Sequence, residues 1–258
     1  MMYFTWLDSN SWLIELAGKR ILLDPWLVDS LTFGNLSWLF KGIKNTSRPI
    51  PEQIDLILLS QGLEDHAHPP TLKQLDRHIP VVASPNAAKV VRELGYMQVR
   101  SLAHGETFTL ADRVAIEAVP GSPIGSQLVE NGYFLKDLAS SQTIYYEPHG
   151  YHSPSLKEKS PIDVVIVPIV DLKLPLLGAV IKGQQSALEL CKLLQPQVIL
   201  PTAAGGDITF EGLLMSLLRD DGNAETFRAL LAQNNLTARV FEPKPGEKFV
   251  VELEKLKI

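Results

Sequence analysis

Four of the six histidines in this chain fall in two short stretches, each beside carboxylates. The first stretch follows an apolar run at 55–60 and carries Glu64, Asp65, His66 and His68 ahead of Pro69-Pro70. Imidazole and carboxylate oxygen together suit zinc, iron or manganese. A loop at the end of a buried strand is where a rigid scaffold holds such ligands. The plainer role is a helix-capping Asp65 with two surface histidines. The second stretch follows 143–146 and carries Glu147, His149 and His152. Pro148 and Gly150 fix a tight turn there, which could hold ligands at little ordering cost. Its plainer role is a polar turn with aromatic packing.

The elements that must position these residues are legible as apolar patterns. The runs 12–16 and 19–23 predict a hairpin turning at Ala17-Gly18, with the second strand ended by Asp24-Pro25. The nearly continuous apolar run at 55–60 predicts a strand buried on both faces. Helical spacing follows over 70–78 and 86–94, with a short strand at 81–83 between them. Strands are expected at 98–101, 107–110, 114–119, 132–135, 143–146 and 164–168. Beyond these come a helix at 184–194, a strand at 198–200, helices at 210–218 and 224–234, and closing strands at 239–241 and 248–253. This is an α/β chain in which two sheets packed face to face with helices outside accommodate the order of elements. No repeat or low-complexity linker divides it, so residues 1–258 are expected to form one domain.

Composition sets limits on the chemistry. The chain has 258 residues, 45% of them hydrophobic, and 24 lysines and arginines against 29 acids give a net charge of −5. That balance offers no electrostatic grip on phosphate backbones, which excludes nucleic acid as a default partner. The lone Cys191 excludes an internal disulfide and a cysteine-rich zinc knuckle. No stretch reaches the roughly 18 uninterrupted apolar residues of a transmembrane segment, and no basic-then-apolar leader opens the chain. The expectation is a cytoplasmic protein whose metal chemistry comes from histidine and carboxylate.

The order of motifs resembles the metallo-β-lactamase superfamily, in the branch similar to ascorbate-6-phosphate lactonases. The resemblance is carried by Asn10-Ser11-Trp12, the hairpin ending Asp24-Pro25-Trp26, and the strand followed by Asp65-His66. Ala118-Val119-Pro120-Gly121 and Ile144-Tyr145-Tyr146 continue it. It implies a four-layer αββα sandwich with a metal site at one edge of the two sheets. It also places histidines where this chain has Gln61, Leu63, Ser122 and Ala203, and His149 where the bridging aspartate belongs. The usual three-histidine site is therefore expected to be absent. What the resemblance leaves is Asp65, His66 and His149 around one metal, with His68, Glu147 or His152 filling gaps.

Two functional readings follow. The first is a metal-dependent hydrolase of an ester, lactone or phosphoester, with a remodelled mononuclear site and one divalent metal ion (zinc first, then iron or manganese). Asp65, His66 and His149 would be the ligands, and Glu147 or His152 a proton shuttle or extra ligand. The second is a non-catalytic binding protein of the same fold that has lost its metal. Asp24 could orient a ligand histidine, and Asp171 and Asp207 follow strands from which they could reach the site. His78 and His104 read as structural. Segments 31–43 and 172–181 are apolar but carry glycines or Pro175 that weaken a helix. They are expected either to overhang the site as a mouth for an apolar small-molecule substrate, or to fold back on the core or into a homo-oligomer interface.

Overall fold

The computed structural model describes residues 1–124, 128–175, 178–203 and 205–254. Two seven-stranded sheets face each other. The first runs in the order 248–251, 2–6, 12–16, 19–23, 56–59, 81–83, 99–101. The second runs 239–240, 198–201, 164–167, 143–146, 128–137, 114–124, 107–110. Antiparallel meanders supply one part of each sheet. Parallel strands supply the other, and these need covered faces: Lys19–Leu23 pairs parallel with Leu56–Leu59, and Thr143–Tyr146 with Val164–Val167.

Three apolar layers result. Trp12, Ile14, Leu23, Leu58, Tyr133, Tyr146 and Ile166 meet between the sheets. Alternate residues of the same strands point outward. Leu22, Ile57 and Leu59 pack on Leu72, Ala87, Ala88 and Val91 of the helices Pro69–Gln74 and Pro85–Glu93. Val165, Val167 and Ile199 pack on Ala187, Cys191, Phe227 and Leu231 of the helices Gln184–Leu194 and Ala224–Gln233. This is the expected αββα sandwich. The continuous apolar runs are explained by burial on both faces.

The expected elements hold at most positions. Residues 210–218 split into the strand Ile208–Glu211 and the short helix Leu213–Leu217. The strand pairs antiparallel with Lys41–Lys44, far away in sequence. Gly212 breaks the two apart at φ +109, where a Cβ would lie 2.6 Å from the Leu39 carbonyl oxygen. Segment 31–43 thus becomes a bridge from Leu31 to Gly42, turns, and that strand. Within segment 172–181, Asp171–Leu174 and Gly178–Ile181 form an antiparallel pair, and residues 176–177 lie outside the described residues. No described helix is long and apolar enough to cross a membrane.

Candidate metal centre

Asp24 ends the strand Lys19–Leu23 in the left-handed region, φ +41, with its N–H donating to the Leu58 carbonyl at 3.0 Å. The Ser11 hydroxyl pins this corner, donating to the Asp24 carbonyl at 2.9 Å and accepting from Trp26 N–H at 2.8 Å. The Asp24 side chain is fully buried yet well supplied with donors. Oδ1 accepts from Ser60 N–H at 2.7 Å, and Oδ2 accepts from the Ser60 hydroxyl at 2.5 Å and the Tyr146 hydroxyl at 2.6 Å. Oδ2 also lies 2.7 Å from Nδ1 of His66. A buried carboxylate with this many donors is stable because each lone pair lost from water is replaced. Its bond to Nδ1 turns Nε2 of His66 outward, the arrangement that readies an imidazole for a metal.

The strand Leu56–Leu59 empties into the loop that carries the ligand candidates. A tight turn, with His66 N–H and Ala67 N–H both donating to the Leu63 carbonyl (3.0 and 2.8 Å), sets Asp65 beside His66. Asp65 Oδ2 is 3.0 Å from His66 Nε2. Burial pushes the His66 imidazolium down, but the charges of Asp65 and Asp24 outweigh it and hold the group well above its ordinary value. Burial likewise works against the Asp65 carboxylate, and His66 and His149 outweigh it, so Asp65 stays below the usual range.

From the second sheet, Thr143–Tyr146 delivers Glu147 and the turn after it. Glu147 Oε2 accepts from the backbone N–H groups of His149, Gly150 and Tyr151 at 3.2, 2.5 and 2.8 Å. Gly150 is needed here: it sits at φ +79, and a Cβ would fall 1.7 Å from the Lys182 carbonyl oxygen. Lys182 N–H donates to the His149 carbonyl at 2.8 Å. The turn therefore holds His149 with its ring centroid 5.2 Å from that of His66. Asp65, His66 and His149 each offer one ligand atom, and those atoms lie within 4.8 Å of one another.

A residue that sequence reasoning missed completes the site. Glu130, fully buried in the strand Leu128–Asp137 at a register shift, places Oε1 2.8 Å from Nδ1 of His149. Oε1 also accepts from Ser122 N–H at 3.2 Å. Glu130, Glu147 and His149 form a second cluster whose ligand atoms lie within 4.8 Å. Burial and the Glu130 charge push the Glu147 carboxyl well above the carboxylate range. Burial acts on Glu130 in the same direction, but His149 outweighs it and Glu130 stays low. The sequence signal was a charged side chain at the head of the Gly132-Tyr133 strand. It is faint, because a lone glutamate in such a place is normally solvated.

The other candidates are placed apart. His68 is in neither cluster. Its Nδ1 lies 3.0 Å from the Thr71 hydroxyl and its ring 6.2 Å from Trp26, and burial lowers it to about 4. It stands at the N-cap of the helix that starts at Pro69. His152 is not in a cluster either: its Nδ1 lies 3.1 Å from the Tyr145 hydroxyl, 4.0 Å from Glu147 Oε2, and burial lowers it to about 3. Asp207 pairs with Arg48 at 2.9 Å, and Asp171 accepts from Gly183 N–H, so both serve loops. Of the positions where histidines were expected, Leu63 is 43% exposed and Gln61 is buried.

The donor set suits a cation. Asp65 Oδ1, Glu130 Oε2 and Glu147 Oε1 are buried acceptors without a hydrogen-bond partner, gathered beside two imidazoles whose Nδ1 atoms are already engaged. Such bare oxygens are costly unless a positive centre meets them.

A family model described as a beta-lactamase superfamily domain matches residues 3–203. No curated protein matches the sequence. The solved isothiocyanate hydrolase from Delia radicum gut bacteria is 18% identical, with a TM-score of 0.71 over 97% of this chain and 99% of that one. A novel metallo hydrolase from the hyperthermophilic archaeon Ignicoccus hospitalis is 17% identical, with a TM-score of 0.68 over 97% and 99%. A metallo-beta-lactamase fold protein from Bacillus subtilis is 13% identical, with a TM-score of 0.64 over 97% and 100%. At these identities the structures speak for the fold, and the family match speaks for descent. The chain belongs to the β-lactamase superfamily and has its metallo-β-lactamase fold.

Proposed function

We propose that the protein is a metal-dependent hydrolase of an ester, lactone or phosphoester, with a remodelled site in which Asp65, His66 and His149 hold one divalent ion. The observation that carries this reading is the convergence of their three ligand atoms within 4.8 Å. The orientation of His66 by the buried Asp24 supports it. A bound divalent ion supplies Lewis acidity to a carbonyl or phosphoryl oxygen and to a water. The chain's own residues then fix the rest. Asp24 holds a proton on His66 Nδ1 and Glu130 one on His149 Nδ1, so both rings present Nε2. Zinc is the first expectation for an Asp-His-His set, with iron or manganese compatible.

Substrate choice is read from the segment beside the ligand loop. Phe33, Phe40 and Phe210 pack as tilted rings with centroids 5.1 and 5.7 Å apart, and Gly34 N–H donates to Glu64 Oε1 at 3.0 Å, two residues before His66. Trp38 is 65% exposed on the same segment. These features support a small-molecule substrate with an apolar portion.

A second reading, a binding protein that works without metal, is favoured by one observation. His66 sits between Asp24 at 2.7 Å and Asp65 at 3.0 Å, an ion-paired arrangement that needs no other cation. Metal content decides between them. Protein purified without chelator should carry half to one equivalent of zinc, iron or manganese, lost in both His66→Ala and His149→Ala. It should also hydrolyse at least one member of an ester, lactone and phosphodiester panel. Less than a tenth of an equivalent, not raised by added metal, overturns the hydrolase reading and leaves the binding protein.

A further inference from the structure

We infer that Glu130, Glu147 and His149 form a second, carboxylate-rich cation site beside the Asp65-His66-His149 cluster. The inference goes beyond the mononuclear reading and shares only His149 with it. Each of the three residues offers a ligand atom within 4.8 Å of the others, and the two glutamates are fully buried. Their oxygens are divided in the same way. Glu147 Oε2 is held by three backbone N–H groups, and Glu130 Oε1 by Ser122 N–H and His149 Nδ1. Donors of this kind favour the ionised form of a carboxyl group, though at Glu147 burial and the Glu130 charge outweigh them. The remaining oxygens, Glu147 Oε1 and Glu130 Oε2, are buried and receive no donor.

Two bare carboxylate oxygens inside a protein repel each other unless a positive centre lies between them. The chain supplies only imidazole, with His149 Nδ1 2.8 Å from the other oxygen of Glu130, and among the described residues no lysine or arginine pairs with either glutamate. The backbone leaves room for the pair rather than for bulk. A Cβ on Gly121 would sit 3.0 Å from Glu130 Cγ, and one on Gly132 would sit 3.4 Å from Glu147 Cγ. Binding there displaces the proton that His149 Nδ1 otherwise holds toward Glu130, and two carboxylate oxygens with that one nitrogen make a harder donor set than Asp65 with two imidazoles, one that suits manganese. The alternative occupant is a single shared proton.

The test titrates metal-free protein with Mn²⁺, counting bound ion by electron paramagnetic resonance and locating it by anomalous scattering from Mn²⁺-soaked crystals. The parent should bind two equivalents, Glu130→Gln and Glu147→Gln one, with affinity for the lost ion down at least tenfold. His66→Ala should keep one ion between the glutamates. One equivalent that vanishes in His66→Ala and is unchanged in both glutamine variants overturns the second site and leaves the mononuclear reading standing. One equivalent that vanishes in the glutamine variants but persists in His66→Ala supports the second site and sinks the first. No binding in the parent overturns both. The anomalous peak in the parent decides the matter even where a variant fails to fold.

Discussion

Asp24 Oδ2 lies 2.7 Å from Nδ1 of His66, although 42 positions separate the two residues and both are wholly excluded from solvent. The same oxygen accepts from Ser60 and Tyr146, so one carboxylate ties the ends of three strands, from both sheets, to a single imidazole. Asp24→Asn keeps the shape but puts an amide NH2 among these donors. Metal affinity should fall about 10–100-fold, and stability by roughly 2–4 kcal/mol. Chelator competition and urea unfolding measure the two effects. Unchanged affinity would mean that Asp24 supports the corner without orienting His66.

Gly150 is the backbone hinge of the opposite loop. Gly150→Ala cannot keep φ +79 with a Cβ 1.7 Å from the Lys182 carbonyl oxygen, so the turn must rebuild. The expected result is a destabilisation of more than about 2 kcal/mol. Weakened metal retention should accompany near-native far-ultraviolet circular dichroism. A variant that holds metal like the parent would show that the 147–151 turn does not position His149.

His152 predicts an acid sensitivity. Burial depresses it from 6.5 to about 3, so the folded protein holds it neutral while the unfolded chain takes up a proton. Its stabilising effect is complete above about pH 6.5 and is lost as pH falls toward about 3. Between pH 7 and pH 4.5 this amounts to about 3 kcal/mol. His152→Leu should therefore lose less stability than the parent over that interval, by about that amount, in paired urea titrations. Parallel curves for the two proteins would contradict the assignment.

Trp38 separates binding from folding. It is 65% exposed, so Trp38→Ser should change stability by no more than about 0.5 kcal/mol. If the apolar segment receives substrate, KM for the apolar members of an active panel should rise several-fold with kcat kept. KM unchanged for apolar and polar substrates alike would remove the segment from the site.

Much of the frame was readable along the chain because its cause is local. The buried runs at 56–59 and 164–167, the Ala17-Gly18 hairpin and the helical stripe of 184–194 each carry their periodicity within a dozen residues. The strand Ile208–Glu211 was not readable, because its partner Lys41–Lys44 lies at the other end of the sequence. The surroundings of His68 were hidden for a related reason: residue type marks it as a ligand candidate, but its place at the N-cap before Pro69 and beside the Thr71 hydroxyl is a property of the folded chain.

By itself, the sequence determined which groups could do chemistry. It holds six histidines, one cysteine, two histidine-carboxylate stretches at strand ends, and no histidine at four positions where the family resemblance expects one. Tertiary structure decided which of them meet. Asp65 and His66 come from one sheet and His149 from the other, and only the face-to-face packing of the sheets brings their ligand atoms within 4.8 Å. Glu130 joins them because the register of its strand turns a carboxylate inward. Side-chain direction in a strand is set by pairing with distant neighbours, and no local pattern in the sequence records it.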